Sequence, residues 1–223
     1  EVCVTVDEAT KTYNLPQGTL TLTFGWGIIT NIVKGYKMCY NSENSEKYVD
    51  NAQEPILYDQ PLSLSYEAPC LEFKLSESAK NWLHGTIFSL LEHTNLKETR
   101  HVSMKKSLLE SNGGFVALHT LMHQLINAVP LLLLSTNDID EAKLEDDCAY
   151  LVDTAEGGTG VCEQVFHRFE EFLKKAEELT SSCRHCDSFW GCAVCMFQHH
   201  CSEMNANLLQ VLGVHTMNIK NQS

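Results

Sequence analysis

The chain has 223 residues, 43% hydrophobic and 20% charged, a balance that excludes a disordered or fibrous protein and supplies enough apolar mass for a core. The net charge of −13 divides as −4 over residues 1–112 (10 Lys+Arg, 14 Asp+Glu) and −9 over 113–223 (6 and 15). No basic half hides behind the total, so a broad cationic nucleic-acid surface is excluded. No uninterrupted apolar run reaches the roughly 18 residues of a membrane-spanning helix, and no membrane contact is expected. The chain opens at Glu1 without a basic-then-apolar leader, which reads as a fragment or processed product.

Taken in order, residues 1–40 read as strands. Val2, Val4 and Val6 alternate with Cys3 and Thr5, Leu20, Leu22 and Phe24 alternate with Thr21 and Thr23, and Ile28 to Val33 adds a β-branched run. Asn41 to Gln53 reads as a polar loop. Residues 56–75 resume a β pattern, interrupted by Pro61 and Pro69. Leu83, Ile87, Phe88, Leu90 and Leu91 fit an amphipathic helix within a mixed stretch, 76–112, that reads as an insertion. Phe115 to Val129 carries a wide apolar stripe and predicts a helix, with Pro130 at a kink and Leu131 to Leu134 as a buried turn. Asn137 to Asp147 reads as an acidic loop and Ala149 to Val152 as a short strand. Val161 to Leu179 predicts one long helix that buries Val165, Phe166, Phe169, Leu173 and Ala176.

The expected fold class is α+β: a β-rich N-terminal part packed on a helical C-terminal half closed by a four-cysteine zinc knuckle. One domain would span 1–223, with 1–75 β-rich, 76–112 inserted, 113–210 helical and carrying the knuckle, and 211–223 a tail.

Ten cysteines need sorting by spacing, because five of them fall within residues 183–201 and the rest are scattered. The scattered ones read as small buried hydrophobes. Cys183, Cys186, Cys192 and Cys195 form CxxC, five residues, CxxC. Each CxxC turn aims two thiolates at one point, and two turns close a tetrahedron around Zn²⁺. Four thiolates leave no open position, so the expected cofactor is a structural Zn²⁺, with Cys201 as reserve ligand. Two disulfides or free thiols are the alternatives. A thiolate site implies an intracellular, reducing compartment, the nucleus rather than the cytoplasm in a eukaryote.

Three further constellations stand out. Asp153 to Gly160, with Gly157, Gly158 and Gly160, is a glycine turn between a strand and a helix. Such a turn can cradle an anion, but no Lys follows Gly160 as a Walker A loop requires, and Asp153 and Glu156 repel one. It reads as structural. His119 and His123 lie one helical turn apart, yet Thr120 stands where a zinc protease has its catalytic Glu, so the pair reads as structural too. Asp7-Glu8-Ala9 after a strand mimics a helicase Mg²⁺ box without any P-loop. No nucleophile has a recognisable base, so catalytic residues are not expected and the chain by itself reads as a non-enzyme.

Four pieces in this order carry a resemblance. They are Val33-Lys34-Gly35-Tyr36-Lys37; Leu118-His119 to His123 with Pro130 and Asp138; Val152-Asp153 to Gly160; and the cysteine cluster trailed by Cys201 and Asn205. Together they resemble the MrfA-like zinc-binding domain, which closes the C-terminal end of Hrq-type and MrfA-type superfamily-2 DNA helicases. The resemblance implies a non-catalytic accessory domain of a 3′-to-5′ helicase acting in DNA repair. Its partners would be the motor domains, in cis or in trans, and single-stranded DNA through a narrow contact. The family's zinc ligands carry over to Cys183, Cys186, Cys192 and Cys195. The alternative is a stand-alone zinc-stabilised protein-interaction module without DNA contact.

Overall fold

The computed structural model describes residues 2–36, 56–92, 112–134, 138–184, 192, 194–198, 201, 205 and 208–214. Three long antiparallel strands come first: β1 (Val2–Asn14), β2 (Thr19–Tyr36) and β3 (Ile56–Leu75). A tight turn, in which the Leu15 N–H donates to the Gly18 carbonyl at 3.0 Å, joins β1 to β2. Then follow α1 (Glu77–Glu92), α2 (Gly113–Leu133), β4 (Ile139–Leu144), β5 (Cys148–Asp153), α3 (Val161–His167) and α4 (Phe169–Ser181). A 3₁₀ turn at Gln210–Leu212 is the last element among the described residues.

The protein is a mixed α/β fold on one five-stranded antiparallel sheet, ordered β1-β2-β3-β5-β4. The sheet therefore draws strands from both halves of the chain. This differs from the expected split into a β-rich first part and a helical second part. The reason is β4 and β5, which form an antiparallel pair and dock on the free edge of β3, Leu71 opposite Leu151 and Phe73 opposite Ala149. The acidic stretch read as a loop is β4: its alternation turns Ile139 into the core while Asp140 takes the opposite face.

Helices cover one face of the sheet. Leu20 and Leu22 of β2, Leu71 and Phe73 of β3 and Leu151 of β5 point into that layer. They meet Leu83, Ile87 and Leu91 of α1, so the part of 76–112 that is described packs into the main core. α2 is buried almost throughout. By length and composition it is apolar enough to cross a membrane, yet 67% of its most apolar window is buried inside the fold, the position of a core helix. Pro130 lies inside α2, which runs on to Leu133. Leu131 and Leu134, expected in a buried turn, are exposed.

The helix expected over Val161 to Leu179 is two helices, broken at Arg168 (φ −113°, ψ 30°). The break places two aromatic rings in the core. Phe166 stacks near Phe24 (5.8 Å), and Phe169 sits between Tyr13 (5.1 Å) and Phe73 (5.9 Å). Each ring buried this way stabilises the fold by roughly 1.5–3 kcal/mol. Lys11 of β1 closes the end of α3, its Nζ donating to the Phe166 carbonyl at 2.7 Å.

β3 is a single strand through Pro61 and Pro69. Pro61 sits where the register with β2 slips, between Val33↔Leu62 and Gly35↔Leu57, so no ladder bond is lost there. The outer halves of β2 and β3 form a ribbon, and Leu57, Leu62 and Leu64 on it are exposed.

Candidate metal centres

The glycine turn is built around a carboxylate of its own. Asp153, the last residue of β5, is fully buried. Its Oδ2 accepts from the Thr159 N–H (2.7 Å), the Gly160 N–H (2.8 Å) and the Thr159 hydroxyl (3.1 Å), and its Oδ1 from the Cys162 N–H (2.9 Å). The ring of N–H groups that could cradle a phosphate already holds an anion. Gly158 is required twice over: its φ is +80°, and a Cβ there would stand 2.4 Å from Pro69 Cδ. Cys162, at the same helix start, is a buried thiol. Burial, then the Asp153 charge, raises its pKa well above the ordinary range, which removes it as a nucleophile.

Three of the four cysteines expected at the knuckle converge. The Cys192 sulfur lies 3.7 Å from that of Cys183 and 3.9 Å from that of Cys195. Thiolates about 2.3 Å from a tetrahedral Zn²⁺ stand about 3.8 Å apart, so this spacing suits a shared ion and is far from the roughly 2.05 Å of a disulfide. Cys186 lies outside the described residues. Cys183 follows the end of α4, its N–H donating to the Thr180 carbonyl at 3.3 Å. Cys192 and Cys195 flank a turn in which the Met196 N–H donates to the Cys192 carbonyl (3.0 Å) and the Val194 N–H to the Cys192 sulfur (3.4 Å). Burial works against a charged Cys192 sulfur, but the Val194 and Cys195 N–H groups and the Cys183 thiol hold its pKa below the ordinary range. α2 carries the turn, since Asn127 Nδ2 donates to the Cys195 carbonyl at 3.2 Å.

A second set gathers against the same helix. His119 and His123 of α2, Glu141 of β4 and Cys201 bring one ligand atom each to within 4.8 Å of one another. Cys201, the reserve ligand for the knuckle, thus stands beside the histidine pair: its Sγ is 3.2 Å from His119 Nε2. Glu141 lies two residues beyond Ile139 and so faces the helices; its carboxylate oxygens are 3.6 Å from His119 Nε2 and 3.7 Å from His123 Nε2. Both histidine side chains are 0% exposed and that of Glu141 is 5% exposed. Burial opposes a charged His119, but Cys201 and Glu141 outweigh it and raise the ring to about 9. Burial likewise opposes a thiolate at Cys201, and the two histidines bring it down to about 7. Sequence reasoning found the histidines by their spacing but missed Glu141, which lay in the presumed loop.

The family model of the MrfA Zn-binding domain matches residues 121–196, from within α2 through β4, β5, the glycine turn, α3 and α4 to the knuckle. That span bears out the resemblance read from the sequence, and both ligand groups fall on or beside it. No curated protein matches the chain. Among solved structures the chain is similar to the DUF1998 helicase MrfA bound to DNA, at 16% identity and TM-score 0.47, over 92% of this chain and 23% of that one. It is also similar to a structure titled DUF1998 helicase MrfA (16%, 0.43, 92% and 22%) and to that helicase bound to DNA and AMPPNP (16%, 0.35, 95% and 22%). The chain thus spans under a quarter of the length of those helicases.

Proposed function

We propose that this chain is a zinc-stabilised, non-catalytic accessory domain of a 3′-to-5′ DNA helicase that acts in DNA repair. Zn²⁺ is held by Cys183, Cys186, Cys192 and Cys195 as a closed structural site. The observation that carries the reading is the convergence of three cysteine sulfurs at zinc spacing, in a segment matching the MrfA Zn-binding domain. The ion would tie the end of α4 to α2 through the Cys195 carbonyl. Zinc coordination contributes on the order of 10–16 kcal/mol of apparent binding free energy in small domains, enough to decide whether this segment folds. The domain spans the chain as one unit and works in a reducing compartment, which its buried cysteines Cys70, Cys148 and Cys162 suit. Motor domains supply ATP hydrolysis, and DNA contact is narrow because the chain carries −13.

Elemental analysis of the purified chain tests the metal, and absence of zinc would overturn the assignment. Titration with single-stranded DNA at increasing salt tests the DNA contact, since phosphate contacts make affinity fall steeply with salt. One feature favours a second reading, a protein-interaction module without DNA contact: Leu57, Leu62 and Leu64 are 68%, 61% and 66% exposed on the β2–β3 ribbon. Absence of any binding at low salt supports that reading.

A further inference from the structure

We infer that His119, His123, Glu141 and Cys201 form a second metal site, a closed Zn²⁺ centre separate from the cysteine knuckle. Four observations carry it.

The first is the donor set. Two imidazole nitrogens, a carboxylate oxygen and a sulfur all face one point, with every pair of ligand atoms within 4.8 Å. Nitrogen, oxygen and thiolate ligands at about 2.0–2.3 Å in a tetrahedron suit Zn²⁺, and four of them leave no open position.

The second is the spacing. The histidine nitrogens stand 3.6 and 3.7 Å from the Glu141 oxygens. A charge-assisted hydrogen bond would draw such atoms to about 2.7–2.9 Å. Atoms bound to the same ion are held apart at roughly 3.4 Å by the tetrahedral angle, close to what is found.

The third is the orphaned polar atoms. His123 Nε2 and both Glu141 carboxylate oxygens are buried without a hydrogen-bond partner among the described residues. These three buried polar atoms face one another and have lost their water. A cation at their centre satisfies all three at once.

The fourth is the tautomer. His123 Nδ1 lies 2.7 Å from the Met196 carbonyl, so the proton sits on Nδ1 and donates there. That turns Nε2 toward the cluster, the arrangement in which a backbone carbonyl orients a metal-binding histidine. The Cys201 sulfur is also prepared, since it accepts from the Asn205 N–H at 3.2 Å. On binding, Cys201 releases its thiol proton and His119 its Nε2 proton to solvent, so that one coordinates as the thiolate and the other as the neutral imidazole.

The ligands come from α2, β4 and the segment after the knuckle, so the ion would join three parts of the chain up to 82 residues apart. The assignment needs no contribution from Cys183, Cys192 or Cys195, and the two sites can fail independently.

The test is metal counting on the full chain, purified without chelator and equilibrated with Zn²⁺. Two zinc ions per chain are expected. The double variant His123→Ala, Glu141→Ala should hold one, and Cys192→Ser, Cys195→Ser should hold one. X-ray absorption at the zinc edge of the unaltered chain needs no variant to fold: nitrogen and oxygen neighbours should appear beside sulfur. A sulfur-only zinc shell, or one zinc ion per chain that survives in the His123, Glu141 variant, would overturn the proposal. Those results would leave a metal-free imidazole–carboxylate–thiol cluster in its place.

Discussion

Removing the Asp153 carboxylate should unfasten the start of α3 from the sheet. Asp153→Ala deletes four hydrogen bonds, to the Thr159 N–H and hydroxyl, the Gly160 N–H and the Cys162 N–H. Thr159 is exposed and Gly160 half-exposed, so water can replace those bonds at about 0.5–1 kcal/mol each. The Cys162 N–H has no such rescue, because Cys162 is fully buried, and an orphaned buried donor costs about 1–3 kcal/mol. The sum is about 2.5–6 kcal/mol. Asp153→Asn keeps the shape and one acceptor oxygen but turns an NH₂ group toward N–H donors, and should cost about 2 kcal/mol. Glu156→Ala, on the exposed tip of the same turn, should cost about 0.5 kcal/mol or less. Urea unfolding with zinc held constant reads these differences. At a slope of about 2 kcal/mol per molar, the Ala variant should unfold about 1–3 M earlier. An Ala variant within 1 kcal/mol of the parent would refute the reasoning, as would a Glu156→Ala variant equally destabilised.

Other expectations follow from single contacts. Gly213→Ala puts a Cβ against the side chain of Gln124, whose Oε1 accepts from the Val214 N–H at 2.8 Å. The amide must move, at a cost of about 1–3 kcal/mol, measurable as a lower melting temperature. Lys11→Met removes the cation that closes α3 and should cost about 1 kcal/mol in the same measurement, with the loss reduced at high salt. Chelation of zinc should expose the segment from Cys183 to Val214 to protease first, while β2, β3 and α1 stay protected; uniform cleavage would argue against local metal stabilisation. Cys195→Ser should lose the zinc of the knuckle and speed amide exchange around Met196, whose N–H bond closes the knuckle turn.

Much of the fold was legible where a local pattern reports a local fact. The strict alternation of Leu20, Leu22 and Phe24 placed β2, and the apolar stripe of residues 116–129 placed α2. The cysteine spacing pointed at the knuckle because a CxxC turn needs nothing distant. Asp153 and Glu156 argued against a phosphate in the glycine turn, and the buried carboxylate now filling it gives the physical reason. What escaped was set by pairing across the chain. β4 has a single apolar residue on its core face before Glu141, so it reads as a loop until β5 supplies a partner. Glu141 could not be matched to His119 and His123, because nothing local links a strand to a helix that precedes it. The break at Arg168 depends on where Phe24, Tyr13 and Phe73 lie, which the helical period does not encode.

His119, His123 and Asn127 follow one another at four-residue intervals along α2, so they form a single row that drifts only about 40° per step around its axis. That row touches Cys201, the Met196 carbonyl and the Cys195 carbonyl in turn. A slip of α2 by one residue would swing the whole row through about 100° and detach all three contacts together. Hydrophobic packing alone tolerates such a slip better, because the buried face of α2 is broad. A metal bound at either centre would therefore reward only the rotational setting of the central helix in which the row meets the knuckle.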